Sequence, residues 1–326
     1  MHTQTIACIG AGRMGRGIAH SVAYAGHPVR LLDAKARSAE DFRKLEAEAT
    51  NEVAASLAMV ASLGGFEKDN IPALMDRVSI WPLEQAAEAL AGADIVFEGV
   101  PEVREAKADA FALFDAHADR NAVLASTTST MLSTDLAELT ERRAHFLNAH
   151  WLNPAFLVPL VEVSPSDETS LDVQKRLMDF LESIGKVPVI CKASPGYIVP
   201  RIQALAMNEA ARLVEEGVAS AEDVDRAVKY GFGLRFAVLG LLEFIDWGGG
   251  DILYYASRYM SGAFNDPRFE APEIVKRNME EGRIGLKTGQ GFFDYASMDV
   301  DAYRQERLAA FLKSLQNAGL ARPPVL

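Results

Sequence analysis

Thr5-Ile6-Ala7-Cys8-Ile9-Gly10-Ala11-Gly12-Arg13-Met14-Gly15 is the stretch on which the reading of the whole chain turns. Its first five residues form a short apolar run with the signature of a buried strand, and the segment beyond Gly15 is helix-compatible through Ala25, ending at Gly26. Three glycines between a strand and a helix have separate tasks. Gly10 makes the tight turn, Gly12 lets the backbone approach a pyrophosphate, and Gly15 allows close helix–strand packing. A pyrophosphate then rests on the helix N-terminus, where unpaired N–H groups and the helix dipole favour an anion. A glycine pattern alone is weak, because 24 of the 326 residues are Gly. Context strengthens it: the next predicted strand ends in Leu31-Leu32-Asp33, where an acidic residue accepts from both ribose hydroxyls of NAD and repels the extra phosphate of NADP. Lys35 and Arg37 lie just beyond and argue the other way. Asp33 outweighs them because it occupies the strand tip itself.

Outward from this turn, short strand-like runs alternate with helical patterns. The runs are Thr5 to Ile9, Val29 to Asp33, Arg77 to Trp81, Asp94 to Glu98, Ala122 to Ser126, His145 to Ala149 and Val187 to Cys191. Such alternation predicts a mostly parallel sheet with crossover helices. The pattern stops near Lys192, and Ser194-Pro195-Gly196 punctuates the chain before apolar residues at helical spacing, Ile198, Ile202, Leu205, Ala206, Leu213 and Val214. A further helix starts with Ser220 and Asp223 placed as a capping box. The expected fold class is therefore α/β: a Rossmann dinucleotide-binding domain over residues 1–192 and an all-α domain over 193–326. Met59, Val60 and Leu63 read as packing residues.

Composition narrows the partners. The 49% hydrophobic and 24% charged content is that of a globular protein, and the formal net charge of -12 lacks the basic face that nucleic acid or an anionic membrane demands. The most apolar long stretch, Phe232 to Trp247, is broken by Arg235, Glu243 and Asp246, which excludes it as a membrane span. Two cysteines, Cys8 and Cys191, give no disulfide framework, and the opening Met1-His2-Thr3-Gln4 is no secretory leader, so a cytoplasmic location is expected. No His/Cys cluster has metal-ligand spacing, and no metal is expected.

In a doubly wound sheet the ligand lies outside the carboxyl ends of the strands. Three segments qualify there: Glu98-Gly99-Val100-Pro101-Glu102 with Lys107, the hydroxyl cluster Ser126-Thr127-Thr128-Ser129, and His150-Trp151-Leu152-Asn153-Pro154, with Glu162 twelve positions after the histidine. Oxidising an alcohol requires removal of the hydroxyl proton as hydride leaves carbon, which a histidine held by a carboxylate can do. His20 and His145 have no carboxylate at a telling spacing. Trp151, Trp247, Tyr254 and Tyr255 are candidate pocket walls, and Glu243 and Asp246 read as structural.

These motifs in this order resemble the 3-hydroxyacyl-CoA dehydrogenase family over nearly the whole chain: the glycine turn, Ser126 to Ser129, His150 to Pro154 with Glu162 at the family's spacing, Ser194-Pro195-Gly196-Tyr197, and the tail from Leu286-Lys287-Thr288-Gly289 to Tyr295. The resemblance implies NAD as cofactor, held by Gly10, Gly12, Arg13, Met14, Gly15 and Asp33, with Glu102, Lys107 and Ser129 near its nicotinamide end. It implies His150 as catalytic base or acid, Glu162 as its partner and Ser129 as donor to the reacting oxygen. It also implies that the helical domain forms a homodimer interface and closes over a small-molecule substrate. Asn153 and Arg235 are the candidate substrate residues.

Three positions depart from the family pattern. Pro200 stands where Asn is usual and has no donor, although Pro is tolerated in a first helical turn. Thr127 stands where Asn is common. The stretch Asp41 to Glu52 offers only Arg43 and Lys44 as cations where CoA-using members carry several lysines. Gly233 to Gly240, with Arg235 as a fork suited to a carboxylate, resembles the branch acting on free hydroxy acids, which includes gulonate and carnitine dehydrogenases and λ-crystallin; an interdomain or dimer salt bridge is the plainer role for Arg235. The expected reaction is NAD-dependent oxidation of a 3-hydroxyacyl-CoA to the 3-oxo product. The alternatives are a free 3-hydroxy acid as substrate and, third, a non-catalytic NAD-binding structural protein.

Overall fold

The computed structural model describes residues 3–325. Its strands are β1 (Ile6–Ile9), β2 (Val29–Leu32), β3 (Val78–Trp81), β4 (Ile95–Glu98), β5 (Val123–Ser126), β6 (Phe146–Trp151), β7 (Leu160–Pro165) and β8 (Val187–Ile190). They form one eight-stranded sheet in the order β3-β2-β1-β4-β5-β6-β7-β8, parallel throughout except where β7 runs antiparallel to β6. The strand order reverses beside β1, which puts the ligand crevice at the carboxyl ends of β1 and β4. Helices α1 (Arg13–Tyr24), α2 (Ala39–Ser62), α3 (Ile71–Met75), α4 (Ala86–Leu90), α5 (Arg104–His117), α6 (Ser133–Ala137) and α7 (Leu171–Ser183) make the connections.

Burial of β1, β2, β4, β5 and β6 explains the apolar runs that announced them, whereas the edge strands β3 and β8 are only partly covered. Side chains alternate across the sheet: Ile6, Cys8, Ile95, Phe97, Leu147 and Trp151 belong to one core, and Ala7, Ile9, Val96, Leu124 and Phe146 to the other. Helix starts follow capping chemistry. Ser38 and Ser170 accept from the Asp41 and Val173 amides at the heads of α2 and α7.

The sequence reading misses β7. Its run, Leu160-Val161-Glu162-Val163-Ser164-Pro165, is short and carries Glu and Pro, and only pairing with β6 and β8 defines it. Strand β6 also extends to Trp151, so His150 sits within the strand instead of after it. Met59 and Leu63 are exposed, not packed; Ala49, Val53 and Leu57 are the buried residues of α2.

The chain divides into two compact units between Ala206 and Met207. The division falls inside α8 (Val199–Glu215), whose first turn is tied to the sheet. The second unit contains α9 (Ala221–Ala227), a π-helical turn (Val228–Gly233), α10 (Leu234–Phe236), α11 (Leu241–Gly248), α12 (Gly250–Phe264), α13 (Glu273–Glu280) and α14 (Val300–Asn317). Ser220 caps α9 through the Asp223 amide. Buried Asp246 organises the tail, accepting from the Phe292 and Phe293 amides at 2.9 Å and from the Tyr295 hydroxyl at 3.2 Å. Glu243 accepts from the Gly240 amide, the Tyr303 hydroxyl and Arg307. Both acids are structural, as the sequence reading holds. No helix among the described residues is long and apolar enough to cross a membrane.

Candidate active site

At the carboxyl ends of β1, β2 and β4 to β6 lies a cleft of about 820 Å³, lined by Gly10, Gly12, Asp33, Glu102, Ser129 and His150 among others. At its floor Gly10 has φ 117°, and a Cβ there would stand 2.7 Å from the Gly99 carbonyl oxygen. A Cβ on Gly15 would meet the Gly10 carbonyl oxygen at 2.2 Å, whereas one on Gly12 would meet nothing within 4 Å. That open space lies where α1 begins without a side-chain cap, the arrangement an anionic pyrophosphate needs. The residues present fit a dinucleotide. Arg13, Met14, Arg16 and Asn153 also line the cleft; Gly15 and Lys107 do not.

Asp33 is buried at the tip of β2, and its carboxylate is already engaged. Arg37 Nε donates to Oδ2 at 2.5 Å and the Lys35 amide to Oδ1 at 3.3 Å. Of the two basic residues that argued for NADP, Arg37 is thus paired with the acid that argued for NAD, whereas Lys35 gives it only a backbone amide.

A polar row crosses the sheet on one face. Register places Glu98 beside Ser126 and Ser126 beside Asn148, and opposes His150 to Glu162 directly across the antiparallel β6–β7 pair. Cross-strand partners have Cβ atoms about 5 Å apart, so pairing alone brings base and acid together. His150 Nδ1 meets Glu162 Oε2 at 2.9 Å. The other oxygen, Oε1, accepts from the Ile198 and Val199 amides at 2.9 and 2.8 Å, at the start of α8. Glu162 is fully buried and caps that helix, whose dipole favours its charge. A carboxylate only accepts, so the pair fixes the ring proton on Nδ1 and leaves Nε2 as the basic nitrogen.

Behind the cleft, Lys107 is buried and donates to both Glu98 oxygens at 3.1 and 2.9 Å; it lies 3.4 Å from Glu102. Ser126 Oγ donates to Glu98 at 2.5 Å. Glu102 accepts in turn from the Thr128 hydroxyl and from the Ser129 amide and hydroxyl. Burial works to raise the Glu102 carboxyl, but those hydrogen bonds and the Lys107 ammonium outweigh it and hold the group below its ordinary value. The sequence reading assigned no role to Glu98; its signal was an acidic residue ending an otherwise apolar strand.

The loop after His150, which includes a cis Asn153–Pro154 bond, is clamped by Lys186. Its ammonium donates to the Ala155 and Val158 carbonyls at 2.5 and 3.0 Å, and burial pulls it down to about 8. Trp151 lines the cleft. Trp247, Tyr254 and Tyr255 belong to the helical unit, as does Arg235, whose guanidinium lies 5.0 Å over the Phe244 ring and donates to the Gly231 carbonyl. Arg235 forms no ion pair among the described residues. Among those residues no group of three or more His, Cys, Asp or Glu could hold a metal ion.

Comparison with known proteins identifies the family. The model of the 3-hydroxyacyl-CoA dehydrogenase NAD binding domain matches residues 5–194, and that of the 3-hydroxyacyl-CoA dehydrogenase C-terminal domain matches 196–295. The chain belongs to the 3-hydroxyacyl-CoA dehydrogenase family. It is accordingly an oxidoreductase with NAD as cofactor. The family's mitochondrial hydroxyacyl-coenzyme A dehydrogenase from Sus scrofa is 33% identical over 294 residues, covering 89% of this chain and 90% of that one. The solved 3-hydroxyacyl-CoA dehydrogenase of Archaeoglobus fulgidus superposes with a TM-score of 0.74 at 32% identity, covering 98% of this chain and all of the other. A 5-formyl-3-hydroxy-2-methylpyridine 4-carboxylate 5-dehydrogenase from Mesorhizobium japonicum is 29% identical over 305 residues, 93% of this chain and 94% of its own.

Proposed function

We propose that this protein oxidises the 3-hydroxyl group of a 3-hydroxyacyl-CoA thioester, reversibly, to the 3-oxo product. The observation that carries the reading is the buried His150–Glu162 pair at the edge of a dinucleotide cleft, with Ser129 on the same cleft. NAD, when bound, supplies the acceptor for the hydride from C3. His150 takes the hydroxyl proton at Nε2, and Glu162 steadies the imidazolium at Nδ1. Ser129 Oγ, on turning its proton from Glu102, holds the reacting oxygen, and Glu102, itself 3.4 Å from the Lys107 ammonium, accepts from the Ser129 amide. Gly10, Gly12, Arg13, Met14 and Gly15 shape the phosphate end, Asp33 the adenosine ribose, and Asn153 the substrate side. Residues 1–192 bind the cofactor. Residues 193–326 pair two copies of the chain, a role supported by exposed apolar side chains such as Met207, Val218, Ile252 and Tyr259. Two unpaired cysteines suit the reducing cytoplasm.

A free 3-hydroxy acid is the second reading. Exposed acids at Glu40, Asp41, Glu46, Glu48 and Glu52 on α2 make it a poor surface for a polyanion such as CoA, and Pro200 and Arg235 point the same way. One substitution tests the base shared by both readings. His150→Gln should lower kcat by about 10²–10⁴-fold while NADH, followed by its fluorescence, still binds with wild-type affinity. Retention of more than about a tenth of the rate would remove His150 from that role.

A further inference from the structure

Tyr197 lies outside every role assigned so far, yet three independent features converge on it. Its φ is 44°, a left-handed conformation that a bulky side chain adopts only when its surroundings hold it there. Its ring stacks on the His150 imidazole, with centroids 4.9 Å apart and planes 13° from parallel. Its hydroxyl donates to the Thr128 carbonyl at 2.9 Å and accepts from Asn148 Nδ2 at 3.0 Å. The residue is buried, and burial holds the phenol above its ordinary value, so it remains a donor.

We infer that Tyr197 is a positioning residue that sets the His150 ring against the Ser129 hydroxyl. The inference rests on the reading of His150 and Ser129 as base and oxygen holder. Each end of the side chain does a separate part of this. The ring face, together with the Glu162 hydrogen bond at Nδ1, removes the imidazole's rotational freedom. An aromatic face also attracts the imidazolium that forms when the proton is taken. The phenol ties down Thr128, the residue before Ser129, and Asn148, which stands two positions before His150 on β6 and whose amide also donates to the Met131 carbonyl. Base and oxygen-holding loop, which share no direct hydrogen bond, are thereby fixed to one side chain. Small displacements of reacting groups are costly because catalysis of this kind is mostly orientation.

The two ends can be removed separately. Tyr197→Phe keeps the ring face and loses the tether; Tyr197→Leu keeps apolar bulk and loses both. With NAD and 3-hydroxybutyryl-CoA, kcat should fall about threefold to tenfold in Tyr197→Phe and roughly 30- to 100-fold in Tyr197→Leu, with the KM for NAD within about twofold of wild type. In a His150→Gln background, Tyr197→Leu should change the residual rate by less than about twofold, because a residue acting through His150 has nothing left to position. Independently of turnover, amide hydrogen exchange over residues 128–131 should quicken in Tyr197→Phe. A wild-type kcat in Tyr197→Leu, a full additional loss in the His150→Gln background, or unchanged exchange over 128–131 would each overturn the inference. If His150→Gln itself turns over normally, the base assignment falls, and the exchange measurement still decides the tether.

Discussion

Asp33 carries two contacts that the sequence could not reveal. Placement at the tip of β2 was legible from Leu31-Leu32-Asp33, but the ion pair with Arg37 depends on the turn that follows. It sharpens the expected behaviour of a substitution. Asp33→Ala removes the acceptor for a ribose and at the same time frees the Arg37 guanidinium, which lines the cleft and suits a phosphate. The variant should lose roughly tenfold or more in kcat/KM with NAD and gain with NADP, since hydrogen bonds to a charged group contribute about 1.5–3 kcal/mol. Unchanged discrimination between the two cofactors in parallel assays would count against Asp33 as the selector. Lys107 shows the opposite limit of residue-level reading. Its position beside the site was legible by resemblance, but its burial against Glu98 was not, because that contact spans the β4 strand tip and the α5 helix. Its ammonium lies 3.4 Å from Glu102, which accepts from the Ser129 hydroxyl.

Elements explain what single residues could not. Of the seven strands read from the sequence, the central five are buried runs for which hydrophobicity suffices, while the edge strands β3 and β8 are only partly covered and were legible from their β-branched residues. The eighth, β7, is defined by its antiparallel register with β6, and that register makes Glu162 the direct neighbour of His150. A spacing of twelve positions hinted at the pair without giving its cause. Because Glu162 also caps α8, it links chemistry to stability. Glu162→Gln keeps the size but loses the charge facing the helix dipole and the imidazolium; kcat should drop by about tenfold or more and the Tm by several degrees, by steady-state kinetics and thermal melts. A variant with full activity would show that the carboxylate charge is dispensable. Between α1 and α2, His20 is buried, bonded at Nδ1 to the Ser56 hydroxyl at 2.7 Å and stacked on Phe156. Burial, with the Lys186 charge adding to it, lowers its pKa from 6.5 to about 4. Between these values the unfolded chain takes up a proton that the folded chain refuses, so stability is lost as pH falls from about 6.5 toward 4. The loss from this group is on the order of 3 kcal/mol, and His20→Gln should flatten it in denaturant titrations run across that window. An equally steep limb in the variant would assign the effect elsewhere.

At the scale of the whole molecule, the doubly wound sheet and the helical continuation were legible because strand–helix alternation stops near Lys192. The division between compact units at Ala206 was not, since α8 runs unbroken through it and its first turn is held to the sheet by Glu162. Charge distribution frames the open choice of substrate, with an acidic α2 set against family membership over both matched segments. NADH formation by the purified full-length protein, with 3-hydroxybutyryl-CoA and free 3-hydroxybutyrate assayed side by side, addresses that choice and the activity together. Saturable turnover of the thioester is the predicted result; a protein that binds NADH and turns over neither compound, or the free acid alone, would contradict it.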